Sequence, residues 1–255
     1  MMSDEIRAAL VDRGKSLFAS KPARVNFTNE ARADALLNDL AGHPHAFVLA
    51  CVMDRQIKAE RAWLIPHRIS DKLGGFSFAL LRSLSFEDIR ELLSKPEPLH
   101  RFPEEMSRNF HAAVQHIALA YDGNAARMWR GKPASAEVVL RFLRLRGVGP
   151  KIATMAANIL ARDFKIPLAD HYSIDISADV HVRRVFTRLG LVPEDASLEE
   201  IIYTARALNP EFPGILDFPA WEVGRAWCRP QMPRCPECYM HSVCPTGSAT
   251  PASAG

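Results

Sequence analysis

Residues 142–153 read Phe-Leu-Arg-Leu-Arg-Gly-Val-Gly-Pro-Lys-Ile-Ala, and this stretch decides how the chain is expected to fold. Apolar residues at helical spacing run up to Leu145, and Pro150 stands where the first residue of a second helix belongs. The Gly-Val-Gly between them allows a tight turn, because glycine adopts backbone conformations closed to other residues. The sequence therefore predicts two helices joined by a short hairpin.

The hairpin is also a candidate binding site for phosphate. The backbone N–H groups of Gly147, Val148 and Gly149 precede a helix start, where unpaired amides and the helix dipole favour an anion. Val148 is expected to plug into the core, and Ala153 lets the two helices approach. This is the helix-hairpin-helix pattern, which holds a DNA phosphate without reading the base sequence. The alternative is an ordinary helix end followed by a second helix.

The positive charge of the chain gathers around this hairpin. The 255 residues carry a net charge of +3, from 32 basic and 29 acidic side chains. Residues 141–190 hold nine basic and four acidic side chains, a net of +5, so the remainder of the chain is at −2. A basic patch on a near-neutral chain is typical of a phosphate-binding face, although a solvated helical surface has the same composition.

Two residues near the hairpin are candidates for chemistry. Lys151 lies in the first turn of the second helix, where the helix dipole and partial burial would favour the free amine, a nucleophile. The alternative for Lys151 is a contact with phosphate. Asp179 opens a further predicted helix, where an acid is most often an N-cap. An acid on a phosphate-binding surface opposes the DNA, however, and this indicates a catalytic role.

Four of the five cysteines fall within seventeen residues, in the spacing C-x6-C-x2-C-x5-C: Cys228, Cys235, Cys238 and Cys244. The start of the chain has none of the basic and apolar segments of a secretory signal, so a disulfide framework is not expected. Four thiolates this close predict a metal centre. Zinc sites usually show two C-x2-C pairs, and the single pair here favours an iron–sulfur cluster over zinc. Cys51 stands in an apolar run and is predicted to be a core residue.

The rest of the chain also predicts helices. Thr28, Ser85 and Ser135 stand where N-caps belong, and no run of alternating residues typical of strands occurs, so we predict an all-α fold. The composition is that of an ordinary globular protein, 48% hydrophobic and 24% charged. The longest apolar run, residues 46–53, is too short to cross a membrane. Residues 247–255 are small and polar and are predicted to form a disordered tail.

Taken in order, the hairpin, the Asp-x-His segment at 179–181 and the four cysteines resemble the endonuclease III branch of the helix-hairpin-helix (HhH-GPD) DNA glycosylases. The resemblance covers roughly residues 30–245. It implies two helical domains with a DNA groove between them. A six-helix domain with the hairpin would occupy 44–164, and 1–43 with 165–246 would form a second domain that holds a [4Fe–4S] cluster.

The resemblance also implies roles for single residues. Lys151 matches the nucleophilic lysine of the family, and Asp179 matches its catalytic aspartate. Gln56 lies where the family places a glutamine that fills the gap left by a flipped base. The other residues expected to bind DNA are Gly147, Val148, Gly149, Arg184, Arg229 and Arg234.

The function that the resemblance implies is base-excision repair. The protein is expected to flip out and remove a damaged base, an oxidised pyrimidine, from double-stranded DNA, and to cleave the abasic site by β-elimination through a lysine Schiff base. One alternative is a monofunctional glycosylase for mismatched or altered bases, although such relatives usually lack Lys151. The other is a non-catalytic iron–sulfur DNA-binding protein. We expect a cytoplasmic, nucleoid-associated monomer without a membrane contact.

Two departures from the family pattern bear on the site. Arg146 stands where the family usually has proline. Lys151 and Asp179 are further apart than usual because of an insert at 163–177, which either reshapes the base pocket or forms a surface loop. Within the insert, Asp175 is a rival for the catalytic acid, although its following residues do not match the Asp-x-His pattern.

Overall fold

The structure, a computed structural model, describes residues 2–21 and 24–249. Every regular element within these residues is helical, and no strand occurs among them, so the all-α prediction is confirmed. The α-helices are α1 (Met2–Ala19), α2 (Ala31–Asn38), α3 (Pro44–Met53), α4 (Ala59–Leu73), α5 (Phe78–Ser83), α6 (Phe86–Ser94), α7 (Pro103–Ala120), α8 (Ser135–Leu143), α9 (Pro150–Arg162), α10 (Val180–Arg188), α11 (Leu198–Leu208), α12 (Asp217–Ala226) and α13 (Pro245–Ala249). Short 3-10 helices lie at Ala125–Met128, Pro213–Leu216, Cys235–Glu237 and His241–Val243.

Side chains at the protein surface fix the starts of several helices. Ser85 accepts a hydrogen bond from the backbone N–H of Asp88, whose carboxylate accepts the N–H of Ser85 in return. Ser197 and Glu200 form the same reciprocal pair at the start of α11. Each pair satisfies two amides that have no partner within the helix. The cap predicted at Ser85 is therefore confirmed.

Two other predicted caps are wrong, because carboxylates bind their hydroxyl groups. The Thr28 hydroxyl donates to the carboxylate of Asp34 at 2.8 Å, and Glu30 occupies the N-cap position of α2. Ser135 is the first residue of α8 and not its cap, and its hydroxyl donates to Asp170 in the insert. Both side chains therefore hold loops against helices.

Two clusters of buried apolar side chains organise the helices. The first is built around α3, whose ten residues are all buried, with α4, α7, α8 and α9 packed around it. Cys51 lies fully buried in this cluster, as predicted. The second cluster joins α1 to α10, α11 and α12. Leu37 and Phe212 pack in the first cluster although they lie outside 44–164, so the domain boundaries remain a prediction.

The insert at 163–177 is packed against the protein and is not a solvated loop. Leu168 and Ile174 are buried in the first cluster, and Ile176 is buried in the second. The amide of Ala169 donates to the carbonyl of Pro133 at 2.9 Å. The insert therefore ties the two clusters together on the path from α9 to α10.

The end of the described chain is helical. Helix α13 includes residues 247–249, which the sequence placed in a disordered tail, and residues 250–255 of that predicted tail lie outside the described residues. Within the described part of the chain, no helix is both long and apolar enough to cross a membrane.

Candidate active site and cysteine pocket

The hairpin lies between the end of α8 and the start of α9, with Pro150 as the first residue of α9, as predicted. Gly147 has a φ of +83°, which allows the chain to reverse. The amide of Val148 donates to the carbonyl of Leu145 and is used inside the turn. Among the described residues, the amides of Gly149, Lys151 and Ile152 have no such acceptor. These three N–H groups form the candidate phosphate site.

Polar side chains from neighbouring segments support the hairpin. Asn109 on α7 is buried, and the Nε of Arg146 donates to its Oδ1 at 3.2 Å. A Cβ at Gly147 would lie 2.5 Å from Asn109 Nδ2 and 3.0 Å from Nη1 of Arg55. The turn therefore packs so closely against these groups that no space remains for a side chain at Gly147. Arg146 has a structural role at the position where the family usually has proline.

Lys151 is the second residue of α9, and its side chain is exposed. The partial burial expected from the sequence is therefore wrong for the free protein. Among the described residues, no acceptor or carboxylate pairs with the amine of Lys151. An exposed and unpaired amine at the head of the hairpin is free to react with an incoming group or to contact a phosphate.

Asp179 is the N-cap of α10, and it is half-buried. Its Oδ1 accepts the amides of His181 and Val182 at 2.8 and 2.9 Å. These bonds fix the carboxylate, whereas Oδ2 accepts no hydrogen bond among the described residues. Capping and catalysis are therefore compatible at this residue, since each uses a different oxygen atom.

Two further carboxyl groups lie close enough to Lys151 and Asp179 to interact with both electrostatically. Burial raises the pKa of Asp54, which ends α3; the charge of Lys151 opposes this, and Asp179 adds to it. Burial also raises the pKa of Asp217 to about 6, against the amide of Ser177 and the charge of Arg162. Asp54 and Asp217 therefore each lie within electrostatic reach of both Lys151 and Asp179.

Asp54 and Asp217 were not predicted as site residues. Asp217 is an acid that interrupts an apolar segment, between Leu and Phe, and a search for isolated acids in apolar surroundings would have found it. Asp54 ends an apolar run and is followed by Arg-Gln, so it carries no such signal. Gln56, predicted to fill the gap of a flipped base, is exposed in the same turn as Asp54 with a φ of +54°. Its role remains a prediction.

Asp175, the rival for the catalytic acid, is occupied elsewhere. Its two carboxylate oxygens accept hydrogen bonds from Nε and Nη2 of Arg206 at 2.7 and 2.8 Å. This bidentate pair anchors the insert to α11, which leaves Asp179 as the candidate catalytic acid.

Much of the basic charge between 141 and 190 holds the protein together. Arg184, predicted to bind DNA, donates to the carbonyls of Cys228 and Gly224 at 2.7 and 2.8 Å. These bonds favour a structural role for Arg184, and its expected contact with phosphate stays a prediction. Other basic side chains of this stretch also bond to backbone carbonyls: Arg141, Lys165, Arg183 and Arg188. The exposed charge at the hairpin comes from Arg144, Arg146 and Lys151.

The four clustered cysteines line one pocket at the end of α10. Arg188 and His241 also line the pocket, and the rest of its wall is apolar: Val185, Leu189, Val223, Trp227 and Met240. Burial and the three neighbouring cysteines raise the pKa of the Cys238 thiol to about 11. Thiolates crowded in such a pocket need a cationic centre to balance their charge. The donor set therefore fits a metal centre with sulfur ligands.

The arrangement of the cysteines bears on the kind of centre. Within the described residues, no three cysteine, histidine or carboxylate side chains approach closely enough to share a single metal ion. The four cysteines nevertheless line the same pocket. Arg188 contacts Cys228 Sγ at 3.4 Å, and the amide of Gly247 donates to Cys244 Sγ at 3.3 Å.

The loop between the first two cysteines presents basic side chains to solvent. Arg229 and Arg234 are both exposed, and Arg234 pairs loosely with Glu237 at 3.6 Å. Arg188 holds the backbone of this loop by donating to the carbonyls of Arg229 and Pro230 at 2.7 and 3.1 Å. The loop can therefore offer two cations on a fixed backbone.

Solved structures with the same fold cover almost the whole chain. A trapped endonuclease III–DNA covalent intermediate is 21% identical, with a TM-score of 0.62 over 97% of this chain and 98% of that chain. A thermostable thymine-DNA glycosylase is 13% identical, with a TM-score of 0.65 over 98% and 100%. These likenesses show the fold.

Sequence relatives match part of the chain. Endonuclease III of Thermotoga maritima is 35% identical over 104 residues, 40% of this chain and 44% of that protein. Endonuclease III-like protein 1 of Gallus gallus is 32% identical over 116 residues, 42% and 36% of the two chains. The chain thus spans less than half the length of the curated relatives it matches. The family described as HhH-GPD superfamily base excision DNA repair protein matches residues 49–210, well over half of the chain, so the chain belongs to this superfamily.

Proposed function

We propose that the protein is a DNA glycosylase that removes a damaged base and then cleaves the abasic site. The observation that carries this proposal is the unpaired amine of Lys151, directly after a hairpin with open amides, together with the carboxylate of Asp179, whose Oδ2 is unbonded among the described residues. Both groups lie within electrostatic reach of Asp54 and Asp217. A glycosylase without lyase activity needs an acid, but it does not need an amine at this position. The substrate class, an oxidised pyrimidine in double-stranded DNA, follows from the endonuclease III resemblance.

The hairpin would hold the DNA beside the site. The amides of Gly149, Lys151 and Ile152 can bind one phosphate at the start of α9, where the helix dipole adds to the attraction. Arg229 and Arg234 can bind a second phosphate from the cysteine loop. A nucleotide flipped between these contacts would meet Lys151 and Asp179, and Gln56 would occupy the gap in the stack.

The chemistry would begin at C1′ of the flipped nucleotide. The free amine of Lys151 forms a bond to C1′ as the glycosidic bond breaks, and the departing base takes the electron pair and a proton. Asp179 stabilises the positive charge that develops on the sugar and accepts a proton from the ammonium of Lys151. Opening of the sugar ring gives a Schiff base. Loss of the C2′ proton then drives cleavage of the C3′–O bond, which cuts the strand.

Cys228, Cys235, Cys238 and Cys244 would hold a [4Fe–4S] cluster. When bound, it supplies a covalent cross-link between the cysteine loops and a redox centre, neither of which base release requires. The chain's own residues do the positioning, since Arg188 and Arg184 bond to backbone carbonyls of the first cysteine loop and of α12. We expect the protein to act as a monomer.

The test is reduction with borohydride in the presence of a duplex that contains an abasic site or thymine glycol. Wild type should form a covalent protein–DNA adduct, and Lys151→Ala should form none, because the amine that makes the Schiff base is gone. Lys15→Ala is the matched control, since Lys15 is an exposed lysine on α1. If Lys151→Ala traps and cuts DNA as well as wild type, Lys151 is not the nucleophile. If neither protein traps but base release occurs, the protein is a monofunctional glycosylase.

A further inference from the structure

Asp217 lies buried behind the candidate site, as the first residue of α12. Its Oδ1 accepts the backbone amide of Ser177 at 2.5 Å. Among the described residues, no side chain donates a hydrogen bond to Asp217. A buried carboxyl group that bonds in this way to a backbone amide fixes the position of that amide.

The amide that Asp217 holds belongs to the turn that carries Asp179. The carbonyl of Ser177 accepts the amide of Asp179 at 2.5 Å, and Asp179 in turn caps α10 through Oδ1. Ser177 is therefore bonded to Asp217 through its N–H and to Asp179 through its C=O. The direction in which Asp179 Oδ2 points depends on this turn.

The segment from Gly214 to Asp217 also reaches the helix of the nucleophile. Asn158 lies seven residues after Lys151 on α9, and so on the same helical face. Its Nδ2 donates to the carbonyl of Gly214 at 2.8 Å, and the amide of Gly214 donates to the carbonyl of Ile174 at 2.7 Å. A Cβ at Gly214 would lie 2.7 Å from Ile174 O. One short segment thus connects α9 to the strip of chain that ends at Asp179.

We propose that Asp217 is a positioning residue that, through the Ser177 amide, aims Asp179 at the sugar attacked by Lys151. The proposal rests on the function proposed above. A carboxylate accepts a stronger hydrogen bond than a neutral carboxyl group does. The turn is therefore held most firmly when Asp217 is ionised, and it loosens when Asp217 is protonated.

The charged groups around Asp217 set the pH at which this change occurs. Burial raises its pKa to about 6, and Asp179 at the start of α10 adds to the increase. Arg162 and Lys151 on α9 oppose it, as does the Ser177 amide. Arg13 on α1, the other helix packed on α12, pairs with Glu222 instead. The positioning effect should therefore weaken as the pH falls through about 6.

The experiment compares Asp217→Ala and Asp217→Asn with wild type. Glu222→Gln is the control, an acid on the same helix that faces α1. Single-turnover base release at saturating protein, pH 5–8, is measured together with the Kd for DNA and hydrogen exchange of residues 175–182. Asp217→Ala should lower the rate constant by about 10- to 100-fold with an unchanged Kd, since small misplacements cost this much. The Ser177 and Asp179 amides should exchange faster.

Asp217→Asn keeps an oxygen that can accept the Ser177 amide but cannot ionise. Like protonated Asp217, it should hold the turn less firmly than the carboxylate does, so its rate constant and amide exchange at pH 7.5 should fall between those of wild type and Asp217→Ala. It should also lose the inflection near pH 6. An unchanged inflection in Asp217→Asn would overturn the proposal even if Asp217→Ala failed to fold. Equal rates in Asp217→Ala and wild type would overturn it as well. If wild type releases no base, the proposed function fails separately, and unchanged exchange in Asp217→Ala still refutes the positioning role.

Discussion

Gly147 is the residue at which the hairpin tolerates least change. It combines a φ of +83° with a neighbour, Asn109, that a Cβ would strike. Gly131 has a similar φ of +86°, but a Cβ at Gly131 would meet no heavy atom within 4 Å, so it provides a comparison for backbone strain alone. A comparison of alanine substitutions at the two glycines therefore separates the energetic cost of backbone strain from the cost of a steric clash.

Gly147→Ala should therefore cost more than Gly131→Ala. Both substitutions place a side chain in the left-handed region, at about 1–2 kcal/mol of unfolding free energy. Only Gly147→Ala should also displace the hairpin and weaken DNA binding by about tenfold, the equivalent of about 1.4 kcal/mol. Urea unfolding and fluorescence anisotropy measure the two effects. Equal DNA affinity in both variants would show that the hairpin does not bind phosphate.

The residues that could be predicted were those marked by their neighbours in sequence. Lys151 follows Gly-Val-Gly-Pro directly, and Asp179 begins an Asp-x-His segment, so both were found as candidates. Asp54 and Asp217 come from the end of α3 and the start of α12, far apart in the chain, and only the tertiary fold brings them to the site. No local spacing could indicate that convergence.

Asp217 also makes the stability of the protein depend on pH. Its pKa is raised by burial from 3.8 to about 6, so the folded state binds more protons than the unfolded state between these values. The contribution of Asp217 to the free energy of unfolding is fully present below pH 3.8. It is lost as the pH rises through about 6, and the total loss is roughly 3 kcal/mol. Asp217→Asn should lack this loss.

Thermal or urea unfolding of wild type and Asp217→Asn at pH 4.5, 6 and 7.5 measures this difference. The free energy of unfolding of the variant, relative to wild type, should increase as the pH rises. Glu222→Gln should show no such trend. A constant difference across the three pH values would mean that Asp217 does not titrate in this range.

At the scale of elements, polar residues were misread where a partner other than the first-turn amides used them. Ser85 caps α6 because its partner, Asp88, lies within the same helix. Thr28 and Ser135 look the same in sequence, but their hydroxyl groups bond to Asp34 and to Asp170 of the insert. Capping could thus be predicted where the hydroxyl meets the amides of the first turn, and it could not where another carboxylate binds that hydroxyl.

The pocket formed by α10, α12 and the two cysteine loops leads to a prediction about metal content. Cys238→Ser removes one sulfur ligand and should lower the iron content and the broad visible absorbance of the purified protein. Cys51→Ala is the control and should keep its iron, since Cys51 is buried among apolar side chains. Iron analysis and visible spectra test this. A colourless wild-type protein containing zinc would contradict the cluster proposal.

On the scale of the whole molecule, the excess of positive charge predicted a DNA-binding face. It did not identify the side chains that would form this face. Five of the nine basic residues between 141 and 190 donate to backbone carbonyls and so hold loops and helices in place: Arg141, Lys165, Arg183, Arg184 and Arg188. Arginine serves this purpose because its guanidinium can bridge several carbonyls at once. Net charge along the sequence cannot distinguish such bonds from free surface charge.

The salt dependence of DNA binding can distinguish them. Each cation that contacts a phosphate releases a counterion, so removing it should reduce the slope of log K against log salt by about 1. Arg229→Ala and Arg234→Ala should each have this effect. Arg184→Ala should leave the slope unchanged and lower the unfolding free energy by about 1–3 kcal/mol, because its bonds are internal. A reduced slope in Arg184→Ala, with normal stability, would support the DNA contact first predicted for this residue.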